Sequence, residues 1–361
     1  MLKKIMDLAD LIGVSSQEQR VASYLINHIP AAKYDINTDN LGNLVVSSKL
    51  NRPDQRNVLL FAHMDEIGLI IRQINDKGFL YFERLGGVNT QILPGTRFKL
   101  DGMKGFVKGV IGVQAHHFMS PEHKMIIPAL SELYLDIGAS SKDEVLASGI
   151  DVGSLAAFDA CCEIKADKYL CGKALDNRMA VGVLLELIEN LADQLFSFNL
   201  FFCFPVMEEF NIRGLMPVIR KIKPDISIGI DITPACDTPD LHYNDIKLNS
   251  GPAITCMNFH GGGTLAGVLP DQDLFRMIVT EAANQQITLQ KEVAPGVITE
   301  NAFALFENEN GIKVANLSIP TRYTHTPFET AAISDIQNLY QVLERVLKRG
   351  LGDLMGKGGF R

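Results

Sequence analysis

Two unbroken apolar runs constrain this chain most: "VLLFA" at residues 58–62 and "LFFCFPV" at 200–206. A strand with one face in water alternates apolar and polar residues, so a strand without alternation must be covered on both faces. "ISIGI" at 226–230 belongs with them, and "IKVANLSIP", from residue 312, supplies a further strand ending near residue 319. Between them, "NRMAVGVLLELIENL" puts apolar residues at 179, 183, 184, 188 and 191, one face of a helix. The chain after Gly172 therefore reads as α/β.

Flanking segments complete the outline. Residues 1–30 read as helical, with Ser15-Ser16-Gln17-Glu18 as a capping box for a helix carrying Val21, Leu25 and Ile26. "KYDINTDNLGNLVVSS" has a hairpin pattern turning at Asn40-Leu41-Gly42-Asn43. From Gly68 to about Lys168 short strands are broken by glycines, including a strand–turn–strand around residues 75–78 and one short helix at 142–148. This stretch is expected to be a separate β-rich domain inserted into the first: residues 68–167 inside a unit made of 1–67 and 168–361. "SDIQNLYQVLERVLKRG" reads as a capped amphipathic helix stopped by Gly350, followed by a loose glycine-rich tail.

Composition narrows the function classes. Of 361 residues 47% are hydrophobic and 21% charged, with a net charge of −8, so no basic stripe for nucleic acid is expected. No apolar run approaches the ~20 residues of a membrane span. Asp7 and Asp10 interrupt the start where a signal peptide would need an apolar core. Six scattered cysteines, Cys161 and Cys162 adjacent and none in a C-x-x-C pair, predict buried free thiols and a cytoplasmic setting.

Chemistry-bearing residues gather at the predicted strand ends. His63 and Asp65 follow the strand at 58–62, Glu208 and Glu209 the strand at 200–206, Asp231 the strand at 226–230, and His325 the strand from 312; Asp176 stands at a helix start. Sites in open α/β sheets form in the crevice beyond the carboxyl ends of the strands. Asp65, Asp176, Glu208, Glu209 and Asp231 would crowd that crevice with carboxylates, and no matching lysines or arginines stand beside them in sequence. Burying such charges unpaired costs several kcal/mol each, so divalent cations are the expected compensation. If Asp176 bridges two metals, one takes His63, Asp176 and Asp231, and the other Asp176, Glu209 and His325. Each metal then has three protein ligands, and a shared water would complete a catalytic site. Asp65 is left to orient His63 from behind, and Glu208 to act as general base. A two-metal site with an adjacent carboxylate base is hydrolase chemistry. Singly, each residue has a plainer reading: Asp176 as a helix cap, Glu208-Glu209 as a solvated pair, His63 as a core histidine.

Two other signals weigh less. In "HGGGTLAG" (260–267) Gly261, Gly263 and Ala266 mimic a dinucleotide fingerprint, but Pro270 follows too soon for the required helix, so a loop is expected. His116, His117 and His123 lie in the insert and are expected at the surface.

"AHMDEIG" (62–68), "KALDNR" (173–178), "PVMEEFNIRG" (205–214), "DITPACDTP" (231–239) and "RYTHTP" (322–327) occur in that order. With "LPGTRF" and "LDIGASSKDEV" in the insert, the chain resembles metallopeptidase family forty-two, the glutamyl and tetrahedral aminopeptidases, over nearly its whole length. The resemblance implies a mixed-sheet, three-layer α/β catalytic domain with an inserted barrel-like dimerisation domain, often assembled into a twelve-subunit shell. It implies a dinuclear metal centre; for these N and O ligands zinc is expected first, with cobalt or manganese as alternatives. His63, Asp176, Glu209, Asp231 and His325 fall on its ligand positions, Glu208 on its base and Asp65 behind the first histidine. Three departures stand out: Asn177 for a second aspartate, Ile298-Thr299-Glu300-Asn301 for Gly-Thr-Asp-Ala in a segment expected to line the cleft, and Cys236 and Asp240 for glycines.

The expected function is hydrolysis of N-terminal residues from peptides by a homo-oligomer. A deacylase acting on small amides would use the same metal centre. A scaffold that keeps the fold without catalysis would not need all seven site residues.

Overall fold

The computed structural model describes residues 1–121, 124, 126–241, 243–260 and 266–356. Strands β1 (Tyr34–Thr38) and β2 (Leu44–Ser48) form the expected hairpin, and β3 (Asn57–Phe61) follows. Next come β4 (Gly68–Ile74), β5 (Leu80–Leu85), β6 (Arg97–Gly102), β7 (Gly105–Ile111), β8 (Leu135–Asp136) and β9 (Leu155–Phe158), which close into a barrel in the order β4-β5-β8-β7-β6-β9. The chain then returns through β10 (Glu163–Lys165), β11 (Tyr169–Gly172), β12 (Asn199–Phe204), β13 (Ile226–Pro234), β14 (Ala253–His260), β15 (Ala266–Val268), β16 (Gln290–Pro295), β17 (Lys313–Arg322) and β18 (Glu329–Ala332). With β1–β3 these build one 12-stranded mixed sheet whose main path runs β1-β2-β12-β3-β13-β17-β18-β11-β10.

The apolar runs are explained by the layers. In β3, Val58 and Leu60 join the core on one face, while Leu59 and Phe61 join the core on the other. Leu200, Phe202 and Phe204 of β12 share the first core and Cys203 the second. The first face is covered by helices α1 (Leu2–Asp10), α2 (Gln19–His28), α4 (Leu175–Asn190), α7 (Gln272–Ala283) and α9 (Ile333–Arg345), the second by α6 (Met216–Ile222) and α8 (Asn301–Ala304); α3 (Lys142–Ala147) belongs to the barrel, and α5 (Glu208–Asn211) caps the sheet's rim. The barrel has its own apolar centre, including Phe82, Phe98, Leu100 and Phe158. Ile12, Val14, Leu155 and Ala157 seal it against the segment between α1 and α2.

Four local expectations are corrected. No capping box starts α2: the Ser15 hydroxyl donates to Asp65 Oδ2 at 2.6 Å, and Glu18 Oε1 accepts from Ser16 N at 2.9 Å and Met207 N at 3.1 Å. Ile26, placed on the apolar face, is 41% exposed. Helix α4 is apolar on nearly all sides because α1, α9 and the sheet enclose it; a Cβ on Gly182 would lie 2.3 Å from Ile5 Cγ1. Gly350 does not stop the C-terminal helix, which passes through one wide turn (Val346–Gly350) into α10 (Leu351–Gly356). Gly350 instead lets the backbone approach Met277, whose Sδ would lie 2.3 Å from an added Cβ. Of the cysteines, all free, Cys161 is exposed and Cys256 half-buried, the other four buried. Among the described residues no helix is long and apolar enough to cross a membrane.

Candidate metal centre

Parallel pairing of β3 with β12 and β13 brings the ends of these strands to one rim. The ladder continues one step beyond β3, Ala62 N donating to Cys203 O and Met64 N to Pro205 O, which carries His63 into the rim. Asp231 is not past its strand, as expected from the sequence, but inside β13, which runs on to Pro234 paired with β17. Its other neighbour, β3, stops pairing at Gly229, so Asp231 still faces the crevice. Asp176 precedes the regular part of α4, after a left-handed Ala174 and before a cis peptide to Asn177.

These elements bring all seven side chains together. His63 Nε2 lies 3.3 Å from Asp176 Oδ1, 3.8 Å from Asp231 Oδ1 and 3.9 Å from Glu208 Oε2. His325 Nε2 lies 3.3 Å from Asp176 Oδ2 and 3.5 Å from Glu209 Oε1. His63, Asp176 and Asp231 offer ligand atoms within 4.8 Å of one another, and so do Asp176, Glu209 and His325. The two triads share Asp176, one oxygen toward each histidine. Asp176 Oδ1 is buried and has no hydrogen-bond partner, the condition of an oxygen suited to a cation. The N and O donor set fits divalent first-row metals.

Asp65 accepts from Glu208 N at 2.9 Å and Glu209 N at 3.0 Å, closing the N-terminus of α5. Its Oδ1 also lies 3.4 Å from His63 Nδ1, within ion-pair reach but outside hydrogen-bond geometry. Glu66, which the sequence groups with Asp65, faces away: it holds the buried Lys173 at 2.8 Å and accepts from Gly13 N. Arg178 approaches the same Glu66, at 3.7 Å. Among the described residues, the ion-pair contacts of Asp176, Glu208, Glu209 and Asp231 are with His63 and His325.

The electrostatics reflect this shortage of positive charge. Burial drives Glu208 well above the usual carboxylate range, with the charges of Glu209, Asp231 and Glu300 adding and His63 opposing. Burial likewise pushes Glu209 up to about 8, and Asp231 upward. Burial would lower both histidines, but Glu209 and Asp176 raise His325 to about 11, and Asp176, Asp231 and Asp65 raise His63 well above its ordinary value. Burial would raise Asp176, yet His325 and His63 hold it below the ordinary range. Two imidazoles stand against four carboxylates, so the cluster calls for further positive charge.

Three site neighbours give no sign of that role in the sequence. Glu329 Oε2 accepts from Asp176 N at 3.0 Å and Oε1 from His325 N at 2.7 Å, so one buried carboxylate fixes both. Gly87, just after β5 of the barrel, meets His325 Nδ1 with its carbonyl at 3.1 Å. Ser15 supports Asp65 from the loop before α2. Glu300 does not line the cleft: it is 1% exposed and accepts from Leu215 N, while Gly296, Val297 and Ile298 form the wall. Asn177 reaches back to Ile230 O at 2.8 Å and so braces β13 beside Asp231. His116 and His117 are exposed, as expected; His123, and residues 261–265 of the glycine motif, lie outside the described residues. Ala266 opens a strand, not a helix.

Fold and site together define a metal-dependent hydrolase of the three-layer α/β kind. The family model for M42 glutamyl aminopeptidase matches residues 42–342. "Putative aminopeptidase SgcX" of Escherichia coli (strain K12) is 40% identical over 92% of this chain and 89% of its own length. Two solved structures superpose closely. The TET aminopeptidase of Thaumarchaeota archaeon SCGC AB-539-E09 has a TM-score of 0.90 at 26% identity, covering 100% of this chain and 99% of that one. The Pyrococcus horikoshii TET1 peptidase, which can assemble into a tetrahedron or a large octahedral shell, has a TM-score of 0.83 at 29% identity, covering 96% and 99%. The chain belongs to the M42 glutamyl aminopeptidase family, and it is a metal-dependent aminopeptidase.

Proposed function

We propose that the chain removes N-terminal residues from peptides at a two-metal centre. His63, Asp176 and Asp231 would hold one divalent cation, and Asp176, Glu209 and His325 the other. The observation that carries this reading is the pair of ligand triads sharing Asp176. Zinc suits these ligands, as do cobalt and manganese. When bound, the cations supply Lewis acidity toward the scissile carbonyl and make water a nucleophile near neutral pH. Glu208 takes the proton of the attacking water and passes it to the leaving amine. Asp65 orients His63 and, through the N–H groups of Glu208 and Glu209, sets the base and a ligand relative to it.

Residues 1–67 and 168–361 would form the catalytic unit and 68–167 a dimerisation unit. The barrel's separate core supports this, as do its exposed Met103, Val113, Phe118, Ile126 and Ile127. The tetrahedral and octahedral shells of the Pyrococcus horikoshii relative support a homo-oligomer, and a solved PhTET1 structure is a dodecamer; our reading is a dimer-based assembly that can extend to twelve subunits. The free thiols favour a cytoplasmic setting.

Replacing Glu208 by Gln keeps the size and removes the base. With two metals still bound per subunit, turnover of aminoacyl anilides should fall by about 10²-fold or more. Undiminished turnover would overturn Glu208 as base, and turnover of acetylated amino acids alone would overturn the peptidase.

A further inference from the structure

We propose that the cleft selects peptides whose N-terminal side chain is aliphatic and uncharged, and discriminates against acidic and basic ones. This rests on the aminopeptidase reading above. The cleft, about 510 Å³, has the metal-ligand set on one side. Ile212, Ile232, Pro234, Val297, Ile298 and Thr324 supply most of the rest of the wall. They come from the turn after α5, from β13 beyond Asp231, from the loop after β16 and from the segment before His325. A substrate side chain leaving the reaction centre therefore meets methyl and methylene groups, where burial of apolar surface is favourable.

A charged side chain would lose its hydration there and needs a partner. For an acidic one, no arginine or lysine lines the cleft among the described residues. Two arginines close in sequence to lining residues are engaged elsewhere: Arg213 stacks on the Phe303 ring at 5.0 Å, and Arg322 grips Asp237 with two bonds of 2.7 Å. For a basic one, the carboxylates among the lining residues are those of the proposed ligands Asp176, Glu209 and Asp231 and of Glu208, which the reaction itself would use; Glu300 is buried, and Asp237 is taken by Arg322. His260 is the remaining ionisable group on the wall and the alternative receptor for an acidic side chain.

The test ranks 4-nitroanilides of Leu, Ile, Val, Met, Glu and Lys with the metal-loaded full chain. The aliphatic compounds should exceed the Glu and Lys compounds in kcat/KM by about tenfold or more, the scale on which a pocket separates side chains. Ile298→Arg should raise the Glu-to-Leu ratio by about tenfold, and His260→Gln should leave that ratio unchanged. If Ile298→Arg does not fold, the wild-type ranking and His260→Gln decide. Glu208-dependent turnover led by the Glu or Lys compound overturns the selectivity and leaves the aminopeptidase intact. A Leu preference that collapses in His260→Gln also overturns it. No turnover of any aminoacyl compound by a preparation of verified metal content overturns both.

Discussion

Asp65 Oδ1 accepts the backbone N–H of Glu208 at 2.9 Å, so the residue behind the first histidine also anchors the carboxylate read as the base. The link joins two strand ends 143 residues apart in the chain. It makes the first histidine and the acidic pair of α5 one mechanical unit.

Asp65→Asn should therefore harm more than the orientation of His63. An amide offers one acceptor oxygen where the carboxylate serves Ser15, Glu208 and Glu209. Metal affinity or kcat should fall by about 10–100-fold, as for the loss of other supporting partners of metal ligands. Metal titration followed by steady-state kinetics checks this, and wild-type values for both would remove Asp65 from the machinery.

Glu329→Gln should destabilise the fold and the site together. The variant keeps one carbonyl oxygen for two N–H groups, the buried one of Asp176 and the part-buried one of His325, and turns an NH₂ toward the other. Leaving one buried donor unpaired costs about 1–3 kcal/mol. Thermal unfolding of the metal-free protein reads the first effect and metal affinity the second.

Gly87→Ala tests the reach of the barrel into the site. The added Cβ would stand 2.5 Å from His325 Nδ1, closer than a carbon can approach. His325 or the Gly87 loop must move, and a shift of about 1 Å at a reacting centre can cost about 10²-fold in rate. Activity should drop while the barrel's own unfolding is unchanged. An active Gly87→Ala enzyme would show that this contact is dispensable.

Chelation should give the protein a pH dependence that metal removes. Glu209 ionises near 8 in the fold and near 4.3 when unfolded, so between those values the folded state holds the extra proton. His325 holds one from about 6.5 up to about 11. In both windows the unfolded state binds fewer protons, so stability falls as pH rises. Asp176, held low, works oppositely: its contribution is present above its unfolded value and is lost only in strong acid. The chelated protein should thus lose Tm between pH 6 and 8, and metal binding should release protons. Calorimetry in buffers of different ionisation enthalpy measures the release; no release would mean the ligands are already deprotonated.

Much of this molecule is legible one segment at a time. Double-sided burial leaves its mark in 58–62 and 200–206, and the hairpin at Asn40–Asn43 and the strand-rich insert have turn residues of their own. His63, Asp65, Asp176, Glu208, Glu209, Asp231 and His325 stand beside such segments, which is why they can be picked out. Local pattern misleads where a neighbour from elsewhere takes over. Gly350 looks like a helix stop, but in the fold it gives room to Met277. Ser15 looks like a cap and instead bonds Asp65.

What the sequence by itself determined is the doubly covered strands near 58–62, 200–206, 226–230 and 312–319, the hairpin before them and the chemistry-bearing residues beside those strands, because periodicity and turn chemistry act between near neighbours. Only the tertiary structure decided that Asp231 faces the crevice from inside β13, that Glu329 joins Asp176 to His325, that Gly87 of the barrel touches the site and that Glu300 lies behind the wall. Each of these depends on hydrogen bonds or close packing between segments far apart in the chain, and such contacts impose no repeat on either segment that could announce them.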